Sequence, residues 1–135
     1  MAVEKVRKNN DWEELEHGIT SGSFTKSLWG EDVTFYWTKM GRMVHLAAFK
    51  DFNSAKSGYS QASPTFTLPA ELKPERTCEF VIMALINSNA WSSGTYYACL
   101  MHIIASSGDV FIRGNDTEMK KMRGLQITCT YISAS

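Results

Sequence analysis

The sequence predicts an all-β fold, an antiparallel β-sandwich of jelly-roll-like design, on three observations. From Ser23 onward, short runs of β-branched and aromatic residues are separated by clusters of Gly, Pro, Ser and Asn. Helical periodicity is nearly absent after Gly18. The last run alternates, with Leu125, Ile127, Cys129 and Tyr131 on one face and Gln126, Thr128 and Thr130 on the other, the pattern of a strand with one face buried.

Length and composition suit a single core. The chain has 135 residues, 44% hydrophobic and 21% charged, enough for one soluble domain to bury about two-thirds of its unfolded surface without disulfides or metals. Residues 1–20 read as an N-terminal arm and 21–135 as the β-domain. The arm is rich in charge and poor in residues to bury. Asp11 followed by Glu14 resembles a capping box and Gly18 supplies a stop, which predicts a short helix over 12–17.

Strands are expected near 22–29, 33–40, 43–50, 64–68, 78–86, 95–105, 109–113 and 125–132. The clearest unit is the hairpin Val33 to Phe49, where Gly41-Arg42 makes a two-residue loop and Gly at the first position suits a type II′ turn. A second hairpin is expected at Ser106-Ser107-Gly108-Asp109. Residues 51–63 and 115–124 read as loops. Two strands, Phe80 to Ile86 and Tyr96 to Ile104, are apolar on both faces, although the outer face of an antiparallel strand normally meets water. Either the arm or a long loop covers that second face, or it is a subunit interface.

Several function classes are disfavoured. Fourteen basic and fourteen acidic residues cancel, so there is no strong positive field for nucleic acid or an anionic membrane. No apolar run approaches the roughly 20 residues of a transmembrane helix, so no membrane insertion is expected. Cys78, Cys99 and Cys129 stand far apart and form no metal-ligand pattern, so they are expected to be free, buried thiols. The charged N-terminus lacks the apolar segment of a secretory leader, and the expectation is folding in a cytoplasm. The acidic clusters Glu31-Asp32 and Glu13, Glu14, Glu16 read as solvated, and His45 and His102 as hydrogen-bonded structural residues within strands. Neither a nucleophile motif nor a nucleotide fingerprint is present, so no catalysis and no cofactor are expected.

The hairpin Tyr36-Trp37-Thr38-Lys39-Met40-Gly41-Arg42-Met43-Val44 resembles the aromatic-x-Thr/Ser-Lys-apolar-Gly-x-x-Val signature of bacteriophage tail receptor-binding and tail-fibre head domains. Leu68-Pro69 with Leu72-Lys73-Pro74, and then Gly108-Asp109-Val110-Phe111-Ile112 before Tyr131-Ile132, follow in the order of that family. The resemblance implies a β-sandwich head that forms a homotrimer in the virion tail, assembled in the bacterial cytoplasm. Such a head binds a host cell-surface polysaccharide or teichoic acid and joins other tail or baseplate proteins through its arm. The alternative is a structural baseplate or tail-assembly module without a saccharide site.

A saccharide site needs an aromatic face for the sugar's C–H surface and a few polar groups for its hydroxyls. The richest stretch is Asn87-Ser-Asn89-Ala-Trp91-Ser-Ser-Gly94. Trp91 between small polar residues reads as a ligand platform, a clamp on the edge of the sandwich, or a contact with a neighbouring subunit, with Asn87 and Asn89 as candidate hydroxyl partners. Tyr59, Asp109 and Arg113 are further candidates. Trp29 and Trp37 alternate with polar residues and read as core or interface.

Overall fold

A computed structural model describes residues 5–8, 11–14 and 18–135. Strands β1 (Lys5–Lys8) and β2 (Asp11–Glu14) pair with each other as a two-stranded antiparallel sheet. The helix expected over 12–17 is thus replaced by strand at 12–14, and 15–17 lies outside the described residues. A helix of that length closes too few hydrogen bonds to offset its nucleation cost. The hairpin register instead sets Lys5 opposite Glu14 and Lys8 opposite Asp11.

Eight strands form one antiparallel sheet: β3 (Thr20–Leu28), β4 (Glu31–Met40), β5 (Met43–Asp51), β6 (Phe66–Thr67), β7 (Cys78–Ile86), β8 (Thr95–Ile103), β9 (Asp109–Arg113) and β10 (Met122–Ile132). Their order across the sheet is β3-β4-β5-β10-β7-β8-β9-β6. The C-terminal strand is therefore central. Phe24 of β3 and Phe66 of β6 come from the two ends of this order, yet both pack on Phe35, with ring centroids 5.0 and 4.7 Å away. The sheet curls into a nearly closed barrel or sandwich around one core, which includes Val33, Leu46, Ile82, Met101, Ile112 and Ile127.

The turns follow the glycines. Gly41 has φ +59° while Arg42 has no positive φ, and Met40 pairs with Met43, as a II′ turn requires. At the β3–β4 corner Trp29 and Gly30 both have positive φ, the mark of a I′ turn. A non-glycine residue is strained there. The Trp29 ring offsets that cost by packing on Phe52 and Tyr59 at 6.2 and 5.4 Å.

The segments read as loops are more structured than expected. Within 51–63, Phe52, Lys56 and Tyr59 are buried. The Lys56 ammonium pairs with the Glu31 carboxylate and lies 4.8 Å from the centre of the Phe52 ring. Within 115–124, Asn115 accepts a hydrogen bond from the Glu118 amide at 3.3 Å and caps a one-turn helix α1 (Asp116–Met119), which buries Met119. Strand β10 begins at Met122, earlier than expected, with a register shift at Met122/Gly124. Both expected structural histidines are hydrogen-bonded, His45 to the Thr130 hydroxyl at 3.0 Å and His102 to Glu79 at 2.9 Å.

Candidate functional site

The convex face of the sheet carries the features that core packing does not explain. In β4, β5 and β10 the outward positions are set by alternation, since Phe35, Leu46, Ala48 and Ile127 turn inward. Outward residues on such a face are normally small or polar, as Thr34, Thr38, Gln126, Thr128 and Thr130 are. Tyr36 and Phe49 break the pattern in the middle of the face, where they remain 63% and 56% exposed, and Met40, Met43 and Ile132 break it at the β4–β5 turn end.

Register explains how these residues meet. Ala47 pairs with Tyr36 on one side and Thr128 on the other, while Phe49 pairs with Gln126. Ala47 is therefore a low floor between two aromatic walls, with an amide and a hydroxyl along the third side. The result is a shallow groove of about 300 Å³ lined by Tyr36, Ala47, Phe49, Gln126 and Thr128 with the backbone between them. Every polar side-chain group in that lining is uncharged.

Trp91 forms the next part of the same face. Its indole N–H donates to the Asp51 carboxylate at 2.6 Å, and its ring lies 5.0 Å from Phe49 and 5.9 Å from Tyr96. The Tyr96 hydroxyl donates to the Trp91 carbonyl at 2.5 Å. A Cβ on Gly124 would stand 2.9 Å from the indole Cζ2, so the ring's position depends on the glycine at the start of β10. Beneath this loop is Leu85, an outward residue of β7 that is nonetheless fully buried. Gly94 allows the same close approach, since its Cβ would meet Leu85 Cδ1 at 2.6 Å. Trp91 is thus held as a clamp on the sheet, in contact with the groove through Phe49.

The other sequence candidates do not converge on it. Asn87 and Asn89 are exposed on the Trp91 loop, and Asn87 has φ +69°, which Asn tolerates better than most residues. Tyr59, expected as a ligand contact, is only 3% exposed and donates its hydroxyl to the Ile112 carbonyl at 2.7 Å. Burial pushes its phenol pKa up, and no solute reaches it. Asp109 accepts from the Thr67 hydroxyl at 2.7 Å where β9 meets β6. Arg113 is exposed on β9 with its guanidinium 5.1 Å from the Phe111 ring. Sequence reading missed Tyr36, Phe49, Gln126 and Thr128 as a group. The available signal was a large aromatic on the polar register of two alternating strands.

The doubly apolar strands find a partial answer on this face. The 87–94 loop covers Leu85, but Val81 and Leu100, which pair across β7 and β8, remain 68% and 37% exposed. Among the described residues no three His, Cys, Asp or Glu side chains converge as metal ligands.

No protein-family model matches the chain, and no curated protein matches it. Among solved structures it is similar to a reovirus attachment protein sigma1 in complex with alpha-2,3-sialyllactose, with TM-score 0.43 and 15% identity over 94% of this chain and 73% of that one.

Proposed function

We propose that this chain is a viral receptor-binding head, of the bacteriophage tail type its hairpin motif resembles, and that it attaches the virion to a host cell-surface saccharide without catalysing a reaction. The observation that supports this best is the open groove between Tyr36 and Phe49. Exposed aromatic rings beside an amide and hydroxyls suit the mixed C–H and O–H surface of a sugar. Shallow sites make few buried contacts, so each is weak, and useful attachment depends on several held together. In this reading the arm joins the head to the tail, and three copies assemble through the exposed apolar patch around Val81 and Leu100.

Two measurements test the proposal. Light scattering should give about three times 15.2 kDa for the native chain, and Val81→Asp should reduce it to a folded monomer by placing a charge in the patch. Fluorescently labelled trimer should bind cell walls from a panel of bacteria, and Tyr36→Ala with Phe49→Ala should abolish that binding at unchanged mass. A folded trimer that binds none of the panel would shift the function to a structural baseplate module.

A further inference from the structure

The charge pattern of the groove face narrows the ligand. The outward positions of β3, β4, β5 and β10 run Ser21, Ser23, Thr25 and Ser27; Asp32, Thr34, Tyr36, Thr38 and Met40; Met43, His45, Ala47, Phe49 and Asp51; then Gln126, Thr128, Thr130 and Ile132. Among the described residues, this face of four strands holds no lysine and no arginine. The cations of these strands fall on the other register. Lys26 alternates with Phe24 and Leu28, Lys39 with Phe35 and Trp37, and Lys50 with Leu46 and Ala48. Lys39 is also bound to the carbonyls of Glu71 and Ser135. Arg123 sits at the register shift of β10 and donates to the carbonyls of Phe52 and Asn53. Arg113, on β9, lies three strand spacings from β10, about 14 Å away.

Recognition of a sialic acid, an uronic acid or a phosphate-linked polymer ordinarily uses Arg or Lys, because the anion must exchange its water for charge-assisted partners. This face offers instead two aromatic rings, one amide and several hydroxyls, with Met40, Met43 and Ile132 exposed at the β4–β5 turn end, and its charged groups are the carboxylates Asp32 and Asp51. We infer that the groove between Tyr36 and Phe49 binds an uncharged sugar, a neutral hexose or hexosamine unit within a surface glycan, and discriminates against anionic glycans. A sugar ring stacks on the aromatic walls over Ala47, while Gln126 and Thr128 exchange hydrogen bonds with its hydroxyls. The Asp51 carboxylate, two residues along β5 from Phe49, repels an anionic chain. This inference rests on the saccharide-binding reading above and adds the ligand's charge class and its seat.

The test is a glycan array carrying both neutral and anionic glycans, including sialyllactose and a glycerol-phosphate polymer, probed with the intact native protein. The expected result is binding confined to neutral glycans and unchanged between about 0.05 and 0.5 M salt, since screening acts on charge pairs alone. Tyr36→Ala should weaken it by about two- to tenfold, the scale of one lost stacking partner. Ala47→Leu, which fills the floor at a half-exposed position, should weaken it as much with the melting temperature unchanged. Strongest binding to anionic glycans, falling with salt, would overturn the neutral-sugar inference and leave the attachment function standing. Neutral binding that survives both substitutions would overturn the seat. Silence across the whole array would remove the saccharide reading itself.

Discussion

Trp91→Ala separates a clamp from a ligand platform, and its cost follows from the structure. The substitution removes the 2.6 Å indole bond to Asp51, worth up to about 1.5 kcal/mol at an exposed carboxylate. It also removes two aromatic contacts, with Phe49 and Tyr96, of about 0.5 kcal/mol each. Re-exposing part of Leu85 adds about 1 kcal/mol. The expected loss is about 3 kcal/mol, at the low end for a Trp truncation because the ring is only half-buried. In a chain of 135 residues this corresponds to a fall in Tm of about 10 °C, read by calorimetry or by the near-ultraviolet dichroism of the clamp's aromatic rings. Trp91→Phe keeps most of the packing and loses the N–H donor, so it should fall by about half as much. If Trp91→Ala melts within about 2 °C of the native protein and loses only ligand binding, the clamp assignment is wrong and Trp91 is itself the platform.

Three further outcomes are expected. Gly41→Val should lose about 1 to 3 kcal/mol in urea denaturation through backbone strain alone, since φ is +59° and open space surrounds the added side chain; a neutral result would refute the two-residue II′ turn. Glu31→Gln should cost about 3 kcal/mol at pH 6 by leaving the buried Lys56 without its partner. Burial alone would raise the Glu31 pKa, but hydrogen bonds from the Asn53 amide and Lys56 outweigh it and hold the carboxyl below its ordinary value. The pair's contribution is therefore complete above that ordinary value, 4.5, and is lost as pH falls through the lower folded value. The gap between native and Glu31→Gln should narrow as pH falls below 4.5, and a constant gap would refute the assignment. Burial pushes the Cys99 and Cys129 thiols up to about 12, so both should resist a thiol reagent in the native protein and react on unfolding; fast native labelling of either would contradict the β8 or β10 register.

All eight strands of the main sheet were legible because the signals that define them are local. Alternation from Leu125 to Tyr131, the Gly41 turn and the Gly108 loop each act within a few residues of chain. The strand order was not legible, since β10 reaches the centre of the sheet through pairings with β5 and β7 that no local pattern encodes. Phe52 and Tyr59 show the same limit. Their segment has no periodicity, and its burial depends on Lys56 finding Glu31 and on Trp29 adopting a positive φ at a turn more than twenty residues earlier. The arm failed for a different reason: a capping pattern is weak when the helix it would start has no face to bury.

Two oddities that the sequence showed separately are one structural feature. Strand β7 carries apolar residues on its outer face, and the 87–94 loop carries a Trp among small polar residues. The structure joins them, because Trp91 and Gly94 lie over Leu85 and turn part of that face into a second, small core. Once that core exists, it braces Phe49 on one side, since the Trp91 ring stands beside it and is tied to Asp51 on the same strand. The Phe49 wall of the groove is thus braced before any ligand arrives, while Tyr36 forms the other, unbraced wall. Preorganisation of this kind lowers the ordering cost that otherwise dominates a shallow site. Loosening the clamp should therefore weaken binding at the groove even where no contact to ligand is removed. Val81 and Leu100 lie beyond the loop's reach, so the same strand pair retains an open apolar patch about two strand spacings, roughly 10 Å, from the groove floor. In the proposed trimer, the joined copies must therefore stop short of β10, the strand beside β7 whose Gln126 and Thr128 line the groove.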